Sequence, residues 1–594
     1  MMRRPARTTL LAAGLAAACV VPVAAQEAGG TWQPKLEIPW NRYYRHAELN
    51  AWMERMRDTW PGFVELREIG RSYEGRPMVL MALTNQATGA ADDKVAMWVD
   101  GNVHGNEVQG GEAALYLAWW LLEHYETNER ARKLLDERAF YILPSQNPDG
   151  RDHWFDAPNT ASSSRSGKRP YDNDRDGLVD EDGYDDLDGD GEIGMMRKRV
   201  PLGEGTHYQD PDDPRILLPV RGTDKQGDWL LLGSEGIDND GDGRINEDGP
   251  GGYDMNRNWP SDWQPPHIQY GAGDYPLCFP ETRAIADFLL AHPNVAAAQS
   301  FHNSGGMILR GPGQESIGPY PAADVAAYDE LGEEGELMLP FYRYMILWQD
   351  LYPVHGGFVN WVYEGLGVFS FSNELWASPQ YFGGTRERTG ENWYATNRRN
   401  QLDWNDSVML GDVWIDWHEV EHPLYGTIEI GGFKRQHGRV APSFMIEEML
   451  HRNAMFCARH AEEMPRVEIV SATAEDLGGG LRRVVAVLEN KAVLPSRSAW
   501  AARNHIGRPD LVVLEGDGVQ VLAGGRLADR FRPQRFAMAD SEPHRLLLEE
   551  GVPGRGRVRC QWIVRGGGTL RVRYQAEKAD DRSAEVTAAD QVGG

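Results

Sequence analysis

What the chain lacks narrows its class before anything it contains. It has only 4 cysteines in 594 residues, and Cys19 lies in an N-terminal stretch that reads as removable. The other three, Cys278, Cys457 and Cys560, are odd in number and far apart. That excludes a disulfide framework and a clustered cysteine zinc site, though a single disulfide stays open. Beyond residue 25 no apolar run approaches the ~20 residues needed to span a bilayer. Basic residues are also in short supply, 61 against 89 acids, for a net charge of −28. A nucleic-acid partner is therefore disfavoured. No motif identifies a partner protein.

The first 25 residues carry the marks of an export signal. Arg3, Arg4 and Arg7 form a positive start, Leu10 to Val21 is apolar, and Val23-Ala24-Ala25 is a small-residue cleavage site. The mature protein is expected to be secreted or periplasmic. Its length calls for two or more domains. From 40 to 160, helical and strand-like stretches alternate. HAELNAWMERMRDTW and EAALYLAWWLLEHY have helical spacing, while PMVLMALTN, KVAMWVDGNVHG and AFYILPSQNPDG read as strands running into turns. Alternation of this kind points to a sheet flanked by helices, with a site at the strand ends. The pattern resumes with ETRAIADFLLAHP and VAAAQSFHNSGG. A helix near 336–349, the strand GVFSFSNELW, a hairpin at HPLYGTIEIGG and a helix at 444–463 follow. After Val467 come short β runs punctuated by Gly and Pro, as in a β-sandwich. The expected organisation is an α/β domain over 30–465 with a mixed central sheet, a sandwich-like domain over 466–577, and a disordered tail over 578–594.

Residues 160–253 interrupt the α/β pattern and look like an insertion without a core of its own. The stretches 172–192 and 238–248 hold 16 acids against two arginines, so the negative charge is local. DNDRDGLVDEDG at 172–183 is echoed by DNDGDGRINEDG at 238–249. Asp172, Asp174, Asp176 and Asp180 alternate oxygens around a turn glycine. Asp238, Asp240, Asp242 and Asn246 repeat the spacing, and Asp186, Asp188 and Asp190 form a shorter run. The spacing is similar to calcium loops, in which carboxylates and a backbone carbonyl wrap a hard cation. The twelfth position is Gly183 or Gly249 instead of the usual Glu, so the acids beside it must compensate.

Two further elements carry chemistry. His104 and Glu107 sit in a strand-to-helix loop, and His302 ends another apolar strand. Two imidazoles and one carboxylate leave a fourth metal position open, as catalytic zinc requires. With IGRSYEGRP, HGNE, NPDG, MMRKR, DMNRNWP, SFHN and SFSNELW following in order, the chain resembles the M14, carboxypeptidase A-like, zinc carboxypeptidases over residues 40–376. That resemblance implies zinc on His104, Glu107 and His302, with Glu374 as general base. Arg197 would face the oxyanion, and Asn256 and Arg257 would bind a terminal carboxylate. Tyr352 would close over the substrate, and Val359 would line an apolar specificity pocket. Where many members carry a substrate-binding Arg, this chain has Asn106. The activity implied is removal of the C-terminal residue of a peptide or protein. Alternatives are a zinc amidase on another acyl-amino-acid link, such as a peptidoglycan stem peptide, or a non-catalytic calcium-dependent binding protein. The acidic repeats, each preceding an arginine with an implied role, are expected to act as calcium clips that fix Arg197 and the Asn256–Arg257 anchor.

Overall fold

The computed structural model describes residues 33–588 save 174, 223–224, 384–392, 530 and 540, so the expected export signal and Asp174 lie outside the described residues. An eight-stranded mixed sheet forms the centre. Its order is Val64–Arg71, Pro77–Leu83, Ala139–Leu143, Ala96–Gly101, Val295–Asn303, Phe369–Leu375, Met307–Arg310, Arg343–Ile346. Ala96–Gly101 and Val295–Asn303 are buried along their whole length, as apolar strands covered on both faces must be. Successive residues feed opposite cores. Met97 and Val99 pack with Leu115 of helix Gln109–His124 and Phe456 of helix Ile446–Glu462. Trp98 packs with Ile285 of Pro280–Ala291 and Phe358 of Phe358–Leu366. The strands at 96–101, 295–303 and 369–375 run parallel as neighbours, so their C-terminal ends open on one edge, where a site is expected.

Three sequence expectations change. The helix placed near 336–349 is Ala322–Met338, followed by the strand Arg343–Ile346 and one π turn, Leu347–Leu351. Pro340 explains the early stop, because its ring and missing N–H cannot continue a helix. The insertion is not coreless. Its strands Met195–Arg199, Trp229–Ser234, His207–Gln209 and Leu217–Pro219 join the expected hairpin, Trp414–His422 and Gly426–Phe433, in a second six-stranded sheet. Met196, Ile428 and Ile430 form its small buried cluster. Those apolar residues are split between distant segments, so neither segment shows the periodicity alone. Finally, the tail expected to be disordered from 578 is paired to residue 588. Arg582–Glu585 adds to Leu570–Gln575, and Thr587–Ala588 pairs with the strand Val467–Gly478. Edge pairing needs backbone groups, which a polar composition does not reveal.

From Val467 a six-stranded and a four-stranded sheet enclose a core containing Val484, Leu488, Val512, Trp562 and Val572. This sandwich docks on the α/β domain through specific bonds. The buried Asp324 accepts the N–H groups of Ala499 and Trp500 at 2.9 Å each, and Lys578 Nζ donates to the Val295 carbonyl at 3.0 Å. Among the described residues no helix is long and apolar enough to cross a membrane. Cys278, Cys457 and Cys560 are all free thiols.

Candidate active site

Three strand ends and one loop build the site. Asn102 follows the strand Ala96–Gly101 in a left-handed conformation, φ 64°, and its amide donates to the carbonyls of His104 (2.7 Å) and Gly105 (3.1 Å). The fully buried Arg151 clamps the same loop, donating to Asn102 Oδ1 at 3.1 Å and the Val108 carbonyl at 2.8 Å. Gly105 is required here: a Cβ would lie 2.3 Å from the Ser164 carbonyl. Its N–H donates to the Arg165 carbonyl at 3.0 Å, so the loop carrying His104 and the segment carrying Arg165 lie backbone against backbone.

His104, Glu107 and His302, all buried, each aim a ligand atom into one space, with the three atoms within 4.8 Å of one another. His302 Nδ1 is 2.9 Å from Glu107 Oε2. His104 Nδ1 is 2.9 Å from Glu107 Oε1 but off the line of a hydrogen bond, and it has no other partner. A buried ring nitrogen left without a partner beside a second imidazole and a carboxylate fits a divalent metal with an N,N,O donor set and an open side. The opposite nitrogen, His104 Nε2, is 3.0 Å from Asp254 Oδ1, the outer carboxylate that orients a ligating histidine. Asp254 in turn receives Arg165 Nη2 at 2.8 Å and Nε at 3.0 Å.

The charges here are paired. Burial pushes the Asp254 carboxyl up, but Arg165, His104 and Arg257 outweigh it and hold Asp254 well below the usual carboxylate range. Glu107 is held down likewise, with His104 and His302 overcoming its burial. Glu107 Oε1 also receives Arg439 Nη2 at 3.0 Å and Arg165 Nη1 at 3.4 Å. Glu374 stands beside His302 in the parallel register of the two strands. Burial and the neighbouring Glu107 push its carboxyl up to about 7, against the opposing pull of His302, Arg439 and Arg165. Behind His302, Ser300 Oγ donates to Asp100 Oδ1 at 2.6 Å, and burial raises Asp100 to about 6.

The structure brings most of the expected residues together, but not Arg197. Its guanidinium is stacked 4.0 Å from the ring of Trp417 and 4.4 Å from that of Trp229, and is paired to Glu429 at 2.6 Å. It is 4% exposed inside the second sheet, and no contact among the described residues joins it to the triad. The MMRKR stretch was drawn into that sheet by pairing with the hairpin strand Gly426–Phe433. Arg165 and Arg439 occupy the neighbourhood assigned to it. Asn106 is also turned away: its amide donates to the Ala161 carbonyl at 2.8 Å.

Asn256 and Arg257 lie on a short 3₁₀ turn. Asn256 Oδ1 accepts the Phe358 N–H at 2.8 Å, and Arg257 Nη1 donates to the Asn256 carbonyl at 2.8 Å, 3.9 Å from Asp254. Gly356, at φ 62°, lets the backbone of Arg257 pass; a Cβ there would meet its carbonyl oxygen at 2.2 Å. Val359 is buried with Leu309, Met345 and Leu347. Tyr352 is 48% exposed on the rim, close enough to Arg165 to act on its charge. Asp254, Arg165 and Arg439 are the site residues that sequence reasoning missed. Asp254 is signalled by standing two residues before Asn256, and Arg165 by the polar run SSSRSGKR. For Arg439, 332 residues from Glu107, no local signal exists.

The acidic repeats do not stand apart in front of two arginines; they pair with each other. Asp182 and Asp248 exchange backbone hydrogen bonds of 3.2 Å in both directions. Asn173 Nδ2 donates to Asp248 Oδ1 at 2.8 Å, and Asn239 Nδ2 reciprocally to Asp182 Oδ1 at 3.1 Å. Among the described residues, carboxylates cluster within two of the three runs, as Asp186, Asp188 and Asp190 and as Asp238, Asp240 and Asp242. They also cluster between the repeats, as Asp182, Asp240 and Glu247 and as Asp176, Glu181 and Asp240. Asp172 is used as a turn cap, accepting the Gly177 N–H at 3.1 Å. Asp180 accepts the Tyr171 N–H at 3.4 Å, and the Asn246 amide donates to the Ser234 carbonyl at 3.0 Å. Asn246 Oδ1 is left buried without a hydrogen-bond partner. Glu181 Oε2, Glu247 Oε2 and Asp248 Oδ2 are shielded from water without a hydrogen-bond partner. Although Glu181 and Glu247 are only partly covered as residues, shielding of the carboxyl and a facing carboxylate, Asp248 and Asp182 respectively, push each up to about 7.

Residues 49–190 and 228–392, just over half of the chain, match the family described as zinc carboxypeptidase. Residues 466–587 match a domain of unknown function. Carboxypeptidase A6 of Mus musculus is 32% identical over 117 residues, 19% of this chain and 25% of that protein. Carboxypeptidase E of Caenorhabditis elegans is 33% identical over 145 residues, 24% and 30% respectively. Carboxypeptidase A6 of Homo sapiens is 23% identical over 350 residues, 57% and 61% respectively. The match thus spans less than two thirds of each of these relatives. Among solved structures, carboxypeptidase A from Helicoverpa armigera aligns with a TM-score of 0.40 at 17% identity, covering 72% of this chain and 76% of that one.

Proposed function

Since the chain belongs to the zinc carboxypeptidase family, we propose that it hydrolyses the C-terminal peptide bond of peptides or proteins. The convergence of His104, Glu107 and His302 on one space, with Glu374 alongside, carries this reading. Zinc bound by those three residues would supply a Lewis acid that polarises the scissile carbonyl and acidifies a water. Glu374 takes a proton from the attacking water and passes it to the departing amine nitrogen as the C–N bond breaks. Its raised affinity for protons suits a group that must both accept and return one. Arg257 and Asn256 hold the substrate's terminal carboxylate, the guanidinium fork matching two oxygens. Asp254 joins this anchor to the metal centre, since it touches His104 and Arg165 and lies 3.9 Å from Arg257. Val359 offers an apolar wall to the terminal side chain, and Tyr352 lies on the rim where it can close over the substrate.

Peptides with free and amidated C-termini test the proposal. Only the free acids should be cleaved, one residue at a time. Equal cleavage of both removes the exopeptidase reading and leaves an amidase of another link.

Calcium on the paired repeats belongs to the same reading. Carboxylate facing carboxylate without a donor between them calls for a hard cation, and both repeats contribute to the Asp182, Asp240 and Glu247 cluster. Calcium would thus join the repeats to each other and brace the chain leading to Asn256. The arginine-rich, apolar N-terminal segment supports export, where calcium is plentiful.

A further inference from the structure

Of the arginines around the metal ligands, one has its donors committed and another belongs to the carboxylate anchor. Arg165 directs Nε and Nη2 at Asp254 and Nη1 at Glu107. Arg257 Nη1 is bonded to its neighbour's carbonyl, at the anchor end of the site. Arg439 differs. It touches Glu107 through Nη2 alone, and its Nε has no partner. Its side chain is 21% exposed, enough to meet a substrate, and its charge reaches Glu374. It therefore borders the space between metal ligand and base with hydrogen-bond donors to spare.

The segment carrying Arg439 is pinned. The Arg439 carbonyl accepts from Asn303 Nδ2 at 3.4 Å, beside His302. The Ala441 N–H donates to Gln109 Oε1 at 2.8 Å, and the Ala441 carbonyl accepts from Tyr43 at 2.8 Å. Val440 is buried with Val108 and Trp154. Arg435 donates to the Ala157 carbonyl at 2.7 Å with its guanidinium 5.2 Å from the Trp154 ring. The segment itself, residues 435–441, lies beyond the residues that match the family. The extension after residue 392 thus adds two strands to the second sheet and also delivers a fixed cation to the edge where the catalytic strands end.

We infer that Arg439 is a catalytic residue whose guanidinium faces the scissile carbonyl oxygen and stabilises it as it takes on negative charge. A preorganised donor aimed at developing charge in a partly dry site gains most in the transition state. The assignment rests on the carboxypeptidase reading above. It also gives the buried Arg197 no chemical step, which fits its stacking between two tryptophans.

The test uses the full-length zinc-loaded protein, with Arg439→Ala, Arg439→Lys and the wild type assayed on a peptide with a free C-terminus. Arg439→Ala should lower kcat by about 10²- to 10³-fold with KM changed by less than about 3-fold. Its affinity for a phosphonate mimic of the tetrahedral species should fall in the same proportion, while zinc stays at one per chain. Added guanidinium should restore part of the rate to Arg439→Ala, and Arg439→Lys should lie between the two. Loss of zinc affinity in step with kcat would overturn the assignment in favour of a brace for Glu107, and a rise in KM alone would make Arg439 a binding anchor. Arg439→Ala activity equal to wild type would also overturn it. A wild type that cleaves no such peptide would instead remove the carboxypeptidase reading, a failure seen before any variant is compared.

Discussion

At the edge of the eight-stranded sheet the buried carboxylates Glu107 and Asp254 meet cations and imidazoles, whereas in the acidic insertion carboxylate meets carboxylate. Glu107 is shared by His104, His302, Arg165 and Arg439, and Asp254 by His104 and Arg165. Glu181 instead faces Asp248 and Glu247 faces Asp182, with Glu181 Oε2, Glu247 Oε2 and Asp248 Oδ2 lacking a donor. The first arrangement is largely self-neutralised, so its geometry is set by the protein and added positive charge can be directed at chemistry. The second leaves three carboxylate oxygens without a donor, and under the calcium proposal its geometry depends on a cation arriving. One region is preorganised and the other conditional.

Breaking the metal centre should separate the two regions most sharply. His302→Ala should abolish stoichiometric zinc binding and lower kcat/KM by at least about 10³-fold. Calcium binding should be unchanged, as read by metal analysis and titration. Next in size is Asp254→Asn, which removes charge from the outer partner of His104. Zinc affinity should fall about 10- to 100-fold, measured by competition with a chromogenic chelator. On the conditional side, Asp182→Asn with Asp240→Asn should remove calcium from the shared cluster. Proteolysis within 172–248 should then be about as fast with calcium as the wild type is with a calcium-selective chelator, while zinc remains bound. Protection by calcium in that double variant would show that the repeats hold their ions independently. The smallest effect is expected for Arg197→Met. It should leave kcat within about 3-fold of wild type and lower unfolding stability by ~1–3 kcal/mol, from calorimetry and steady-state kinetics.

The same contrast governs what is legible in the sequence. The central sheet announces itself because each strand is a compact apolar run and each helix repeats at its own period, as in 96–101 and 109–124. His104, Glu107, His302 and Glu374 stand out because each lies at the end of such an element or in the loop just after it. The second sheet is hidden because its strands at 195–199 and 426–433 are separated by more than 200 residues and neither has a full apolar pattern. Arg197 was misplaced for that reason: MMRKR looks like a catalytic loop, yet it pairs as a strand and its arginine is walled in by Trp229 and Trp417. Arg439 fails from the opposite side, since only the fold places HGRVA against Glu107. In the repeats, spacing marks the acidic runs but not their partnership, because exchange between Asp182 and Asp248 is a tertiary fact.

The central claim, a zinc peptidase centre with Glu374 as its proton carrier, is tested most directly by one paired measurement. Zinc content and C-terminal residue release are determined for the wild type and for Glu374→Gln, each zinc-loaded. The account predicts one zinc per chain in both proteins, release by the wild type from a free C-terminus, and a loss of about 10²- to 10⁴-fold in kcat for the variant. Undiminished release by Glu374→Gln with its zinc in place would contradict it.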